Sequence, residues 1–120
     1  MFTQACFIKN YNRDLISKIE NIGYRNYGNP LQFTDYSILY TTIDGYYVPY
    51  KVQVDSSWFD CGTNEELFLS IAALRDDSDR FQWFVDDFDD SIWQKSEWNN
   101  ANFTKAHKAT VEELIKHFNK

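Results

Sequence analysis

Long apolar runs are missing from this sequence, and so are most patterns that announce a chemistry. No stretch of about 18 apolar residues occurs, so no helical membrane span is expected. The N-terminus, MFTQACFIKNYNRD, has no basic segment leading into a long apolar one, so no signal peptide is expected either. Cysteine is scarce: Cys6 and Cys61 are far apart and form no CxxC pair. A disulfide and two free buried thiols both fit, and a reducing cytoplasm, the expected location, favours the thiols. Four glycines provide no phosphate-cradling loop, and no GxSxG, HExxH, HxH or HxxxH pattern is present. Catalysis and a cofactor are not expected.

Basic charge is also sparse where it would matter. No basic stripe exists to neutralise phosphates, which argues against direct nucleic-acid binding and against anionic membrane surfaces. Net charge is −6 over 120 residues. Residues 55–97 carry three basic and twelve acidic groups, a local −9. Such a segment attracts a cationic partner or a metal ion.

Aromatic residues are plentiful: ten Phe, eight Tyr and four Trp make up 18% of the chain. That much apolar surface can offset chain entropy, so the chain is expected to fold, as one domain spanning residues 1–120. Ala5–Ile8 reads as a buried strand. Asn12 offers an N-cap to a helix with Leu15, Ile16, Ile19 and Ile22 at helical spacing, and Gly23 sits where a left-handed C′ residue belongs. A short strand fits within Tyr24–Pro30. Tyr36–Val52 reads as a hairpin turning at Asp44-Gly45 in a two-residue type I′ turn, with Pro49 suggesting an edge strand. Thr63-Asn64-Glu65-Glu66 and Thr110-Val111-Glu112-Glu113 are capping boxes, with Thr63 and Thr110 as N-caps. The first opens a helix ending near Arg75. The second opens a helix whose apolar stripe is Val111, Leu114, Ile115 and Phe118. Phe81–Val85 and Ile92–Lys95 form a hairpin across the loop 86–90. The predicted class is α+β, a single antiparallel sheet of four to five strands built from hairpins, with three helices packed on it in the order β-α-β-β-α-β-β-α.

The feature least explained by folding is a run of seven carboxylates within fifteen residues: Asp76, Asp77, Asp79, Asp86, Asp87, Asp89 and Asp90. Phe81, Trp83, Phe84 and Phe88 are interleaved with them. A solvated loop is the plain interpretation. A recognition surface for a basic protein, with Phe88 among the carboxylates, is the functional one. Like charges this close repel, so neutralising them is expected to leave stability unchanged or raised. Metal binding is weakly signalled, because DDSDR and DDFDD lack the spacing and the glycine of a calcium loop. His107 and His117 read as a surface histidine and a helix-end histidine. Cys61 precedes a helix, where a thiol is reactive if its pKa is lowered, and otherwise reads as a small buried hydrophobe. Tyr40, Tyr46, Tyr47, Tyr50, Trp58, Trp93 and Trp98 are many large aromatics for one core, so some are expected at the surface. An alternative is therefore a small-ligand or nucleotide-sequestering protein, with Tyr46 and Tyr47 stacking on a base. Its phosphates would be met by Lys9, Arg13, Lys18, Arg25 and Lys51. A third reading is a metal-dependent hydrolase using the clustered aspartates.

Two blocks, CGTNEELFLSIAALRDDSDRFQWFV over residues 61–85 and HKATVEELIKHF over residues 107–118, resemble small uncharacterised proteins encoded by phages and mobile elements of gut Bacteroidota. Ile22-Gly23-Tyr24 is similar to a helix end found in their variable N-terminal halves. The resemblance implies a viral or mobile-element accessory role, such as interference with a host system, and brings no catalytic residue or cofactor with it. Combined with the acidic segment, it leads to the expectation of a non-enzymatic protein that docks on a basic host or phage protein, as a defence antagonist or nucleic-acid mimic. The oligomeric state is left open.

Overall fold

The structure, a computed structural model, describes residues 1–28, 38–50, 58–100 and 103–118. In chain order the elements are β1 (Cys6–Lys9), α1 (Arg13–Ile22), β2 (Arg25–Asn26), β3 (Ile38–Thr41), β4 (Tyr46–Tyr50), β5 (Phe59–Asp60), α2 (Glu65–Ala72), β6 (Trp83–Asp86), β7 (Trp93–Lys95), β8 (Ala106–Lys108) and α3 (Val111–Phe118). The class is α+β, with three helices among the described residues. The strands form two sheets, not one: a five-stranded sheet in the order β2-β4-β3-β1-β5 and a three-stranded sheet in the order β7-β6-β8. The larger sheet is mixed, because β1 pairs with β5 and β2 with β4 in parallel. Hairpin signals define pairs of neighbouring strands and carry no information on how those pairs assemble, which is why a single antiparallel sheet is the wrong expectation. Strands β5 and β8, two and three residues long, are too short to show a period.

Local signals carry the helix ends. Asn12 accepts from the Leu15 amide at 2.9 Å. Gly23, at φ 126°, lets its own amide reach Glu20 and the Tyr24 amide reach Ile19, a Schellman closure. Leu15, Ile16 and Ile19 are buried beneath α1. At α2 the cap is displaced by one residue from the expected Thr63: Asn64 accepts from the Leu67 amide at 3.0 Å and donates to the Phe118 carbonyl at 2.8 Å. Asn64 thus caps α2 with its side-chain oxygen and holds the end of α3 with its side-chain nitrogen at once. Thr63 is exposed. Thr63→Ala is therefore expected to be nearly neutral in chemical denaturation, while Asn64→Ala costs about 1–2 kcal/mol; equal costs would contradict this assignment. At α3 the expected box forms as written, with Thr110 Oγ1 accepting from the Glu113 amide at 3.2 Å and Glu113 accepting from the Thr110 amide at 3.1 Å.

The β3–β4 hairpin turns where expected but with another geometry. The Thr42 amide bonds Tyr46 at 2.9 Å and the Gly45 amide bonds Thr42 at 3.2 Å, leaving a three-residue loop of Ile43, Asp44 and Gly45. Only Gly45 has positive φ, at 93°, so this is a type I turn closed by a left-handed residue, not type I′. A Cβ there would also meet the Phe2 ring at 3.5 Å. Gly45→Val is expected to lower stability by about 1 kcal/mol or more, and an unchanged melting temperature would refute that. Strand β4 lies between β2 and β3, not at an edge; the described part of β2 pairs only with Tyr46 and Tyr47, so Pro49 lies past it. The outer ends of this predicted hairpin, Tyr36, Lys51 and Val52, lie outside the described residues, as do Asn29 and Pro30.

Helix α2 is the hinge of the packing, with β1 on one side and α3 on the other. Cys6, Ile8, Leu15, Ile19, Leu39, Phe68, Ile71 and Leu114 are buried in one cluster. The chain leaves α2 at Ala72, short of Arg75, and β6 starts at Trp83 instead of Phe81. Phe81 has φ 65° and cannot continue a ladder. Next to it Gln82 is 1% exposed. Its amide donates to the carbonyls of Ala73 and Arg80, and its oxygen accepts from the Arg75 amide at 3.3 Å. A strand-like pattern puts that glutamine in solvent; the structure makes it the bolt between α2 and the second sheet.

Candidate functional site

The seven aspartates divide into two groups with different surroundings. Asp76 and Asp77 each lie 3.0 Å from the N-terminal ammonium, and Asp77 also takes a two-pronged contact from Arg75 at 2.8 and 3.0 Å. The Arg75 guanidinium, and then the terminal ammonium, hold the Asp77 carboxyl well below the usual carboxylate range. Asp79 is 3.2 Å from the Lys108 ammonium. This first group is largely compensated.

The second group shapes the β6–β7 hairpin tip. Asp86 Oδ1 accepts from the amides of Phe88 and Asp89 at 2.8 and 3.0 Å. Asp89 Oδ1 accepts from the amide and hydroxyl of Ser91 at 3.0 and 2.6 Å, and these bonds lower its pKa. Such side-chain-to-backbone bonds impose turns on short loops. The Asp87 amide bonds the Lys105 carbonyl at 2.8 Å, and the Asp90 carbonyl accepts from the Trp93 indole at 2.8 Å. Loop chemistry thus holds Phe88 outward, 84% exposed, with Asp87, Asp89, Asp90 and the exposed Ile92 around it.

His107 joins the tip to α3. Its Nδ1 lies 2.9 Å from Asp87 and its Nε2 lies 3.0 Å from Glu113. A neutral imidazole has one donor and one acceptor, so both contacts are satisfied only by the imidazolium. The Asp87 bond, then the Glu113 bond, raise the His107 pKa. Burial works against ionised Glu113, but the Thr110 amide and His107 outweigh it and its pKa falls. With the folded pKa of His107 above the unfolded value of about 6.5, its contribution is full below that pH and fades as pH rises through the folded value. The groups are roughly half exposed, so solvent screening keeps the effect under about 1 kcal/mol. The expected observation is that His107→Gln weakens the protein at mildly acidic pH and converges on the parent at alkaline pH. Parallel stability curves would refute the clamp.

Beside the tip lies a cavity of about 460 Å³ lined by Asp90, Ser91, Trp93, Glu113, Lys116 and His117. The rings of Trp93 and His117 stack at 3.9 Å between centroids. The Trp93 indole beside the Asp90 carboxylate offers contacts to a guanidinium or ammonium side chain, while Glu113 is already engaged by His107 and Lys116 shares the lining. Sequence reasoning missed this slot. Glu113 reads there only as half of a capping box, and the i+4 spacing from Glu113 to His117 is the one signal pointing to a shared helix face.

The alternative ligand set is not assembled. Lys9 is exposed at the end of β1 and Arg13 opens α1. Arg25 and Tyr46 meet in a shallow cavity of about 360 Å³ that also holds Asp44 and Arg75. Tyr47 is buried and donates its hydroxyl to Glu20 at 3.1 Å. Lys18 lines a different cavity, and Lys51 and the side chain of Tyr50 lie outside the described residues. Among the expected surface aromatics Trp98 and Tyr46 are exposed, whereas Tyr40 stacks on Trp58 at 4.2 Å. Cys6 and Cys61 are free and buried, and the neighbouring Cys6 thiol, with burial, pushes the Cys61 thiol up. That is the opposite of an activated nucleophile. Among the described residues no group of three or more His, Cys, Asp or Glu side chains is placed to hold a metal ion, and no helix is long and apolar enough to cross a membrane. Comparison with models of protein families, with curated proteins and with solved structures finds no match.

Proposed function

We propose that this is a non-enzymatic binding protein of the cytoplasm that docks on the basic surface of another protein through the β6–β7 tip. The observation that carries the reading is Phe88, 84% exposed on a loop whose shape is set by Asp86 and Asp89. Exposing a phenylalanine to water is unfavourable for an isolated fold, and an aromatic anchor held in place lowers the ordering cost of association. The carboxylates around it supply long-range attraction, and the Trp93 slot offers a seat for one basic side chain of the partner. The resemblance of residues 61–85 and 107–118 to phage and mobile-element proteins is in keeping with an accessory role against a host protein, by antagonising a defence system or mimicking nucleic acid.

The direct test places a photo-crosslinking amino acid at position 88, or as a control at position 27 in the first half, and irradiates cells expressing the protein. A single adduct from position 88, absent from position 27 and reproduced with the purified partner, is the expected result. No position-specific adduct, or one with a partner lacking a basic surface, would overturn the reading.

A further inference from the structure

In a chain of net charge −6, a cavity without carboxylates stands out. Two such cavities adjoin, of about 320 and 150 Å³, sharing Asn21, Ile22 and Phe81. The larger has an apolar floor including Leu69 and Trp83, with Lys18 and Lys95 at its rim. The smaller is walled by Arg75 and Arg80. Three other cavities each carry an acidic residue, Asp86, Asp44, or Asp90 with Glu113.

The cations here differ in how far they are already engaged. Lys18 is 2.9 Å from Asp14, and Arg75 is held by Asp77. Lys95 and Arg80 have no ion-pair partner among the described residues. The Lys95 ammonium sits 5.9 Å from the ring centres of both Phe81 and Trp83, and the Arg80 guanidinium 4.9 Å from that of Phe81. Asn21, which lines both cavities, has a side-chain amide with no partner among the described residues. Unpaired cations on aromatic walls, beside a free amide and an apolar floor, are the complement of a flat ring carrying an anionic group. A groove of this volume falls in the range of small-molecule sites and lies where layers of the fold meet.

We propose that the groove between α1, the end of α2 and the β6–β7 strands binds a small aromatic phosphate of the size of a nucleoside monophosphate. The ring packs on the floor beside Phe81 and Trp83, Asn21 meets its polar edge, and Lys95, helped by Arg80, meets the phosphate. This site is separate from the acidic tip and uses none of its residues. Of the described cations expected from sequence to serve a nucleotide, Lys9, Arg13, Lys18 and Arg25, only Lys18 lines it; Lys95 and Arg80 come from the acidic segment.

The test is calorimetric titration of the whole chain with AMP, adenosine and inorganic phosphate at low salt. AMP is expected to bind saturably at one site, with adenosine and phosphate at least about tenfold weaker. Lys95→Gln is expected to weaken AMP at least about tenfold, while Lys105→Gln, at an exposed position outside the groove, leaves it unchanged. Lys95 is exposed, so its variant should fold, and its melting curve verifies that. In the parent, the Trp83 indole resonance should shift on AMP addition. No saturable AMP binding at millimolar concentration, equal binding of adenosine, or an undiminished Lys95→Gln affinity would each overturn the proposal.

Discussion

Replacing Gln82 with leucine is expected to lower stability by about 3 kcal/mol. Leucine has a similar reach but neither donor nor acceptor. The Ala73 carbonyl at the end of α2 and the Arg75 amide would both lose their partner in a site that is 1% exposed at residue 82. Each unsatisfied buried group costs about 1–3 kcal/mol, and the hydrophobic gain from leucine offsets only part of two such losses. At about 4 °C per kcal/mol for a domain of this size, the melting temperature should fall by about 12 °C. Gln82→Glu is expected to be at least as harmful, since a carboxylate cannot donate to the Ala73 carbonyl and its charge would be buried. A loss of under about 1 kcal/mol for the leucine variant would mean that water replaces the amide and that Gln82 is not the bolt.

Gln82 also marks where a sequence stops being informative. Several features determined within three to five residues are legible: Asn12 and Gly23 at the ends of α1, the Thr110–Glu113 box, and the place of the turn at Gly45, though not its type. Their energetics are local, so the residues that decide them are adjacent in the chain. The sequence points to Thr63 instead of Asn64 as the α2 cap because the capping-box pattern is local, whereas the second bond of Asn64 reaches Phe118, 54 residues away. The parallel pairings of β1 with β5 and β2 with β4 depend on contacts of the same kind. Of the acidic site, the charges were legible and their partners were not. Repulsion was the natural expectation for Asp86 and Asp89, yet each is the acceptor that shapes its own turn. His107 reads as an unremarkable surface histidine until Asp87, brought in by the β6–β8 pairing, and Glu113, brought in by the start of α3, face its two nitrogens.

Those partners alter what neutralising the tip should do. In the variant Asp86→Asn, Asp87→Asn, Asp89→Asn, Asp90→Asn, relief of repulsion is countered by weaker acceptors at 86 and 89 and by loss of the Asp87–His107 pair. Asparagine keeps an acceptor oxygen at both turn positions, so the tip should hold its shape and the melting temperature should stay within a few degrees. Binding should respond far more. Removing four negative charges from around Phe88 is expected to slow association with a basic partner by about tenfold at low salt, with dissociation little changed. The deficit should shrink as salt rises, because a Debye length near 8 Å at physiological ionic strength already screens the steering field in the parent. Phe88→Ala should do the reverse, leaving association nearly unaltered and accelerating dissociation about tenfold or more, since the ring acts only once contact is made. Stopped-flow or surface-based kinetics on both variants, at low and high ionic strength, separates the two roles. Should the charge variant lose more than about 2 kcal/mol of stability while binding with parental kinetics, the carboxylates serve the loop alone, and the tip is not the docking surface.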